Sequence, residues 1–290
     1  MFKVFAFLKR NETLSHDDYR AGHIGYHSGH SRRMKGMRGY LVNVWANQEL
    51  ADTIGPLHDD IAWNAPPDFT DEWDGFPEVW FDSAETWRGS SEPEPTRAMK
   101  GGLAVDPDRT PQDATTLFDP VPGRPGEFRS RHVRVEEHPL VPVERPERKL
   151  TKLVQFFRRN PALPDAAFRT ALLTGHAALA TRLRGLHGYT VNFRDPDEDA
   201  AITDFYPADD WRFTDEGRAW RRAFTSLWDG CAELWFDDLD AFAAARADPA
   251  LAPGLDAMER HLFEAVWWIE VDESVVVMPN RDPAPAFYYR

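Results

Sequence analysis

One stretch of this chain recurs. Shifted by 149 positions without a gap, residues 3–44 lie over 152–193, and 13 of those 42 pairs are identical. Ordinary residue frequencies would give roughly two or three by chance. The identities include His27 over His176, Tyr40 over Tyr189 and Asn43 over Asn192. Farther on, Trp73-Asp74-Gly75 with Glu78, Trp80, Phe81 and Asp82 returns as Trp228-Asp229-Gly230 with Glu233, Trp235, Phe236 and Asp237. The second match needs an offset of 155, so the latter half carries six extra residues in one loop (155 − 149). A solenoid repeats every 20 to 50 residues or so and needs several neighbours to bury a core. Units as long as these are self-sufficient domains. The chain therefore divides into two copies, 1–145 and 150–290, the first with a long insertion at 89–129, joined by a proline-containing linker at 142–148.

Each copy reads β-α-β-β-α-β. Apolar strands are expected at 4–9 and 152–157, at 40–45 and 189–193, and at 77–81 and 232–236. The first copy closes on a strand at 131–135 and the second on one at 267–277. In the first copy Ser15 followed by Asp18 is a capping-box pattern for the first helix. In the second, Pro164 stands in place of Ser15 and suits a helix start. Apolar Phe168, Leu172, Leu179 and Leu183 recur near the helical period. Gly36 and Gly185 read as helix stops, and 239–250 as a further helix. Insertion 89–129, rich in proline and charge, is either disordered or a lid over a site. A βαββαβ unit is a ferredoxin-like half whose sheet has one face covered by helices and one apolar face open. Two such faces in one chain can close on each other. The expected fold is α+β: two tandem ferredoxin-like domains forming an intramolecular, pseudo-dimeric α/β barrel.

Composition narrows the function. With 48 acidic against 34 basic residues, the net charge of −14 argues against a nucleic-acid partner, whose phosphates need a basic surface. No apolar run approaches the ~18 residues of a membrane span, and the N-terminus shows no secretory h-region. The single cysteine, Cys231, read as core, leaves no disulfide framework, so a cytoplasmic protein is expected. Eleven tryptophans and nineteen phenylalanines fill a core and leave material for lining a flat organic ligand. Nucleotide-binding glycine loops, HExxH and GxSxG are all missing from the sequence.

Three groups of residues carry chemistry. The pairs His27/Tyr40 and His176/Tyr189 combine an imidazole, ordinarily titrating near ~6.5, with a phenol able to donate to a developing oxyanion. The same residues could instead tie helix to sheet. His23, His27 and His30 share one helix face at i, i+4 and i+7. That face fits a polar substrate pocket, a solvated surface or, less well, a metal, since no carboxylate completes a ligand set. The second copy places Leu172 and Leu179 at the positions of His23 and His30. Glu78 and Trp80, like Glu233 and Trp235, share one strand face, while Asn43 and Asn192 fall on the face opposite Tyr40 and Tyr189 in their own strands. The glutamates either serve as a base or pair with an arginine, for which Arg20 and Arg169 are the expected partners.

These residues resemble the EthD family of the dimeric α/β-barrel superfamily. The resemblance rests on Tyr19…His27, Gly36…Tyr40…Asn43 and Asp74-Gly75 through Asp82. It rests equally on Phe168…His176, Gly185…Tyr189…Asn192 and Asp229-Gly230 through Asp237. It covers both halves outside the loops. It departs from the family where Gly22-His23 and Ala171-Leu172 replace a frequent Tyr-Trp, and where no proline follows the histidine. The resemblance implies small-molecule chemistry of the methylmuconolactone isomerase or polyketide cyclase type, driven by proton transfer and without cofactor or metal. It implies His27 and His176 as acid/base and Tyr40 and Tyr189 as oxyanion stabilisers. His23, His30, Asn43, Glu78, Trp80, Asn192, Glu233 and Trp235 would bind an aromatic, lactone or polyketide-like substrate. The alternatives are a non-catalytic binder of hydrophobic small molecules and a cofactor-free or haem oxygenase. The chain would be a monomeric pseudo-dimer or a homodimer, with no membrane partner.

Overall fold

The computed structural model describes residues 1–32, 34–46, 50–90, 117–124 and 128–279, excluding the side chain of His30. Most of insertion 89–129, and with it the choice between disorder and lid, lies outside the described residues. Among the described residues no helix is long and apolar enough to cross a membrane.

Eight strands close an antiparallel barrel: β1 Phe2–Leu8, β2 Gly39–Trp45, β3 Gly75–Phe81, β4 Ser130–Val141, β5 Thr151–Arg159, β6 Gly188–Arg194, β7 Gly230–Phe236 and β8 Phe263–Val277. Around the barrel they run β1-β3-β2-β8-β5-β7-β6-β4. Each half thus supplies four adjacent strands in equivalent order, β4-β1-β3-β2 and β8-β5-β7-β6. The seams β2–β8 and β4–β6 join the halves. Register repeats with the sequence: Lys3 opposes Trp80 as Lys152 opposes Trp235, and Asn43 opposes Phe76 as Asn192 opposes Cys231.

The two closing strands are longer than the sequence suggests. β4 runs on to Val141 because Glu136, Glu137 and His138 pair with β6 of the other half, a partner that local pattern does not reveal. β8 begins at Phe263, and the helix expected over 239–250 stops at Arg246, succeeded by a second, proline-initiated helix Ala252–Leu262.

Each half's first helix has the same three-part form. In α1, α-helical His16–Ala21 passes into π-helical Gly22–His27 and back to Ser28–Ser31. Helix α2 is Leu50–Ile54, α3 Pro56–Ile61 and α4 Ala84–Gly89. Helix α5 joins Asp165–Ala171, π-helical Leu172–His176 and Ala177–Ala180. Next come α6 Asp215–Thr225, α7 Leu239–Arg246 and α8 Ala252–Leu262. Ser15 caps α1, its hydroxyl accepting from the Asp18 amide at 3.1 Å, and Pro164 caps α5 without a side-chain bond. Gly36 and Gly185 both take φ near +78° and +77° in the turn a few residues past their helices, where an L side chain would be strained.

Strand alternation sorts the core into three clusters. One fills the lumen with Phe5, Phe7, Phe76, Val154, Phe156, Cys231 and Trp267, drawn from both halves. The other two lie between the sheet and the helices of each half. The loops after β2 and β6 cross over. Leu50 and Ile61 of the first half pack in the second half's outer cluster, and Ala201 and Phe205 of the second pack in the first's. Each crossing is pinned by an indole: Trp268 Nε1 donates to the Ile61 carbonyl at 3.1 Å and Trp87 Nε1 to the Ala201 carbonyl at 2.8 Å. The six extra residues fall in the β6–β7 connection.

Candidate functional site

The structure separates the sequence-derived site residues onto opposite sides of the barrel wall. Asn43, Glu78, Trp80, Asn192, Glu233 and Trp235 gather in the lumen. His23, His27, Tyr40, His176 and Tyr189 belong to the helix-covered outer layers, one set per half.

In the lumen Lys3 and Lys152, one strand register from the indoles, are buried. Lys3 Nζ reaches Glu78 at 2.7 Å and Glu233 at 2.9 Å, and Lys152 Nζ reaches each of them at 2.5 Å. The four groups form a ring in which every cation touches both anions and bridges the halves. Asn43 and Asn192 each donate to the glutamate of their own half at 2.7 Å. Glu137 pairs with Lys3 at 2.9 Å and accepts from Trp80 Nε1; Glu273 pairs with Lys152 at 3.3 Å and accepts from Trp235 Nε1. Each ammonium also lies over its own indole, at 4.6 and 4.8 Å.

The expected partners Arg20 and Arg169 are elsewhere, on Asp272 and on Asp165 and Glu136. Their place is taken by lysines of the first strands, because an inward glutamate can be neutralised only by a cation on the same side of the sheet. Burial, reinforced by the charge of Glu233, pushes the Glu78 carboxyl up to about 7; Glu233, against its burial, is held well below the usual range by Lys152 and Lys3. The two carboxyls are thus pushed in opposite directions, Glu78 up and Glu233 down. Charges so enclosed add little net stability, because the cost of taking them out of water offsets their attraction.

In the second half, His176 is buried and bonded at both ring nitrogens. Nδ1 meets the Tyr189 hydroxyl at 3.0 Å, the pairing expected from the sequence, and Nε2 meets Glu259 at 3.1 Å. Glu259, on α8, takes two bonds from Arg246 at 3.0 and 2.8 Å and one from Gln155 at 3.1 Å. Against its burial, Arg246 and His176 hold Glu259 at about 2, so it is a carboxylate. Both ring nitrogens of His176 are occupied, and Tyr189 is fully buried.

The first half is wired differently. Here the hydrogen-bonded pair is Tyr19 and His23, one turn apart on α1, with Nδ1 to hydroxyl at 3.0 Å. Tyr19 stands where the second copy has Phe168 and His23 where it has Leu172. His23 is fully buried, and its Nε2 has no hydrogen-bond partner among the described residues. Leaving such a group unpaired costs about 1–3 kcal/mol. Burial, with the neighbouring His27, pushes His23 well below the ordinary imidazole value, so it is neutral. The His27 ring stands edge-on 5.4 Å away, half-buried, with Nε2 3.1 Å from the Ser31 hydroxyl. Phe118 lies edge-on to both, at 5.4 and 4.9 Å. Phe118 and Leu117 belong to the described end of insertion 89–129. A side chain at Gly22 would run into Leu117, so the glycine lets this segment close on the helix beside His23.

Tyr40 is buried in the outer layer beneath α1, where its phenol is felt by that of Tyr19. The backbone of His30 lies on α1, but the arrangement expected for its side chain falls outside the described residues. Among the described residues no group of three or more His, Cys, Asp and Glu is placed to hold a metal ion.

Tyr19, Phe118, Lys3, Lys152 and Glu259 are the participants that sequence reasoning missed. The lysines had a signal: each is an identity of the repeat, and Lys3 is set in a strand that is otherwise wholly apolar. Tyr19 had one too, four residues before His23. Glu259 had none, since it lies beyond the repeated segments.

No family model matches the chain, and no curated protein does. Solved structures do. A Fusobacterium nucleatum subsp. nucleatum protein named "putative monooxygenase" superposes over 97% of this chain and 94% of its own, at 9% identity and a TM-score of 0.50. A protein of the same name from Lactobacillus acidophilus gives 7% identity over 97% of each chain, with a TM-score of 0.49. An "anthrone oxidase-like protein" gives 10% identity over 95% and 92%, with a TM-score of 0.48. The first of these, at full length, is similarity of fold.

Proposed function

We propose that this chain is an enzyme that moves a proton on an aromatic, lactone or polyketide-like small molecule, with its reaction at the α1 face of the first half. The chain reads as a duplicated EthD-like unit whose halves stand in for the two subunits of a dimeric barrel. What carries the functional reading is one contrast. A half-buried histidine, His27, stands edge-on to a buried neutral histidine, His23, whose second nitrogen has no partner among the described residues. His27 is the group that takes and returns the proton, reachable from solvent and close to a hydrogen-bonding position that the described residues leave unfilled. His176 and Tyr189 form a structural tie, and the glutamates, asparagines and tryptophans of the lumen hold the halves together.

A second reading differs only in the fate of the carbanion left by proton removal. It can be reprotonated, can expel a leaving group or can be captured by molecular oxygen. The name of the Fusobacterium barrel favours keeping the third outcome open. The test is incubation of the purified chain with phenolic, lactone and polyketide compounds, with and without oxygen, and mass analysis of products. Conversion is expected, slowed about a hundred- to ten-thousand-fold in His27→Ala. Tight retention without conversion would make the protein a binder, and unchanged turnover in His27→Ala would remove His27 from the mechanism.

A further inference from the structure

The Tyr19–His23 pair fixes more than a position. Among the described residues the buried Tyr19 hydroxyl has a single hydrogen-bond partner, His23 Nδ1. A tyrosine hydroxyl carries one proton and a neutral imidazole carries one, on either nitrogen. Suppose Nδ1–H donated to the phenol. The phenol proton would then have no acceptor, and Nε2 would hold an unused lone pair, leaving two unmet groups. With the phenol donating to Nδ1, only Nε2–H is unmet. Burial, reinforced by the charge of Asp74, pushes the Tyr19 hydroxyl well above its ordinary value, so the phenol keeps its proton. The low imidazole value keeps His23 from carrying two.

We infer that Tyr19 locks His23 as the Nε2–H tautomer, and that this neutral buried donor selects a ligand presenting an enolate or phenolate oxygen. The inference rests on the proposed reaction site and names what it recognises. Tyr19 is a positioning residue, and His23 makes the contact. The division of labour is then simple. When His27 removes a proton from carbon beside a carbonyl, or from a phenolic hydroxyl, the electron pair of the broken bond comes to rest on oxygen. His23 Nε2–H donates to that oxygen. A neutral donor is suited to this role because it does not lose its proton to the oxyanion. The second half has no counterpart, since Phe168 and Leu172 occupy both positions.

Two readouts independent of turnover test the inference. The first is nitrogen NMR of the chain labelled in its histidine rings, with His23 identified by its disappearance in His23→Leu, a side chain the second copy already accommodates. The expected spectrum shows His23 as Nε2–H throughout pH 6–8, with the tautomer lock lost in Tyr19→Phe. A dominant Nδ1–H tautomer overturns the inference. The second is visible titration of bound 4-nitrophenol. In the parent chain its ionisation is expected to move about one unit lower than in free solution, tenfold in the ionisation constant. That shift should vanish in His23→Leu and return in part in His23→Gln, which restores an N–H donor. Absence of binding, or binding with no shift, overturns the ligand class. If 4-nitrophenol binds and ionises early while no compound is converted, the enzyme reading falls and this inference stands. If turnover depends on His27 but His23→Leu leaves both turnover and the titration unchanged, this inference falls and the enzyme reading stands.

Discussion

His176 and His23 occupy the same kind of position in the two halves, a buried place in the π-helical stretch of the first helix. Both nitrogens of His176 are answered, by Tyr189 on one and Glu259 on the other, with Arg246 and Gln155 behind the carboxylate. Around His23 one nitrogen is answered by Tyr19 and the other is not, among the described residues. An unmet buried imidazole nitrogen is a standing cost that His176 does not carry. Chemistry is therefore to be sought at the histidine that is less well satisfied, not at the one whose His–Tyr pair looks more complete.

The largest effect that would break this contrast concerns turnover. His27→Ala should lose about two to four orders of magnitude in rate, whereas His176→Leu should leave the rate per folded molecule unchanged. Rates are to be normalised to the native fraction measured by near-ultraviolet circular dichroism. A loss in His176→Leu beyond its unfolded fraction would move the chemistry to the second half.

Stability should show the opposite asymmetry. Glu259→Leu leaves Arg246 as a buried charge without its carboxylate and strips His176 and Gln155 of a shared acceptor, for an expected loss of about 3–5 kcal/mol. His23→Leu removes a donor without a partner among the described residues but also takes the acceptor of the buried Tyr19 hydroxyl; the two effects offset, and urea unfolding should find it within about 1–2 kcal/mol of the parent. Equal losses in the two variants would mean that His23 is as much a structural tie as His176.

The lumen belongs to both halves, and its two glutamates break their symmetry. Glu78 has a folded value raised to about 7, above its unfolded value, so its contribution to stability is fully present below about pH 4.5. It is lost progressively as pH rises through about 7. Glu233, depressed by the two lysines, acts in the other sense: its contribution is present above about pH 4.5 and is lost progressively as pH falls below that. Glu78→Gln, which keeps a hydrogen-bonding amide of the same shape, should flatten the stability profile between pH 5 and 8. Denaturant midpoints across that range would show it, and an unchanged slope would mean that Glu78 does not titrate there.

The fold was legible because duplication is a long-range signal written locally: an unbroken offset identified the unit, and alternation placed Asn43 opposite Tyr40 in one strand and Glu78 with Trp80 in another. What alternation leaves undetermined is which face looks inward and what meets it across the lumen. Lys3 and Lys152 find their glutamates only once the barrel closes, so Arg20 and Arg169 were the nearer guesses and were incorrect. The crossing of Ile61 and Phe205 into opposite halves was hidden for the same reason. At the site, repetition gives only part of the arrangement: it pairs His27/Tyr40 with His176/Tyr189, while the Tyr19–His23 bond of the first half joins residues that the repeat does not preserve.

The smallest expected difference between the halves lies at the start of the two helices. Ser15 accepts from the Asp18 amide and donates to its carboxylate at 2.6 Å, so α1 begins with a reciprocal side-chain cap. α5 begins at Pro164, which satisfies no amide but removes none either, since a proline there has no N–H to lose. Ser15→Ala should therefore cost about 1 kcal/mol, while Pro164→Ala should change stability by only a few tenths, mainly by loosening the unfolded chain. The consequence reaches past stability. α1 carries the unmet His23, two glycines with open space beside them (Gly25 and Gly29) and no Glu259 to fasten it among the described residues, so its first turn is a main local anchor. Hydrogen exchange should rise along the whole of α1 in Ser15→Ala but stay confined to the first turn of α5 in Pro164→Ala. If exchange rises only at the first turn in both, α1 is held as firmly as its copy, and the openness at His23 is a property of one side chain and not of its helix.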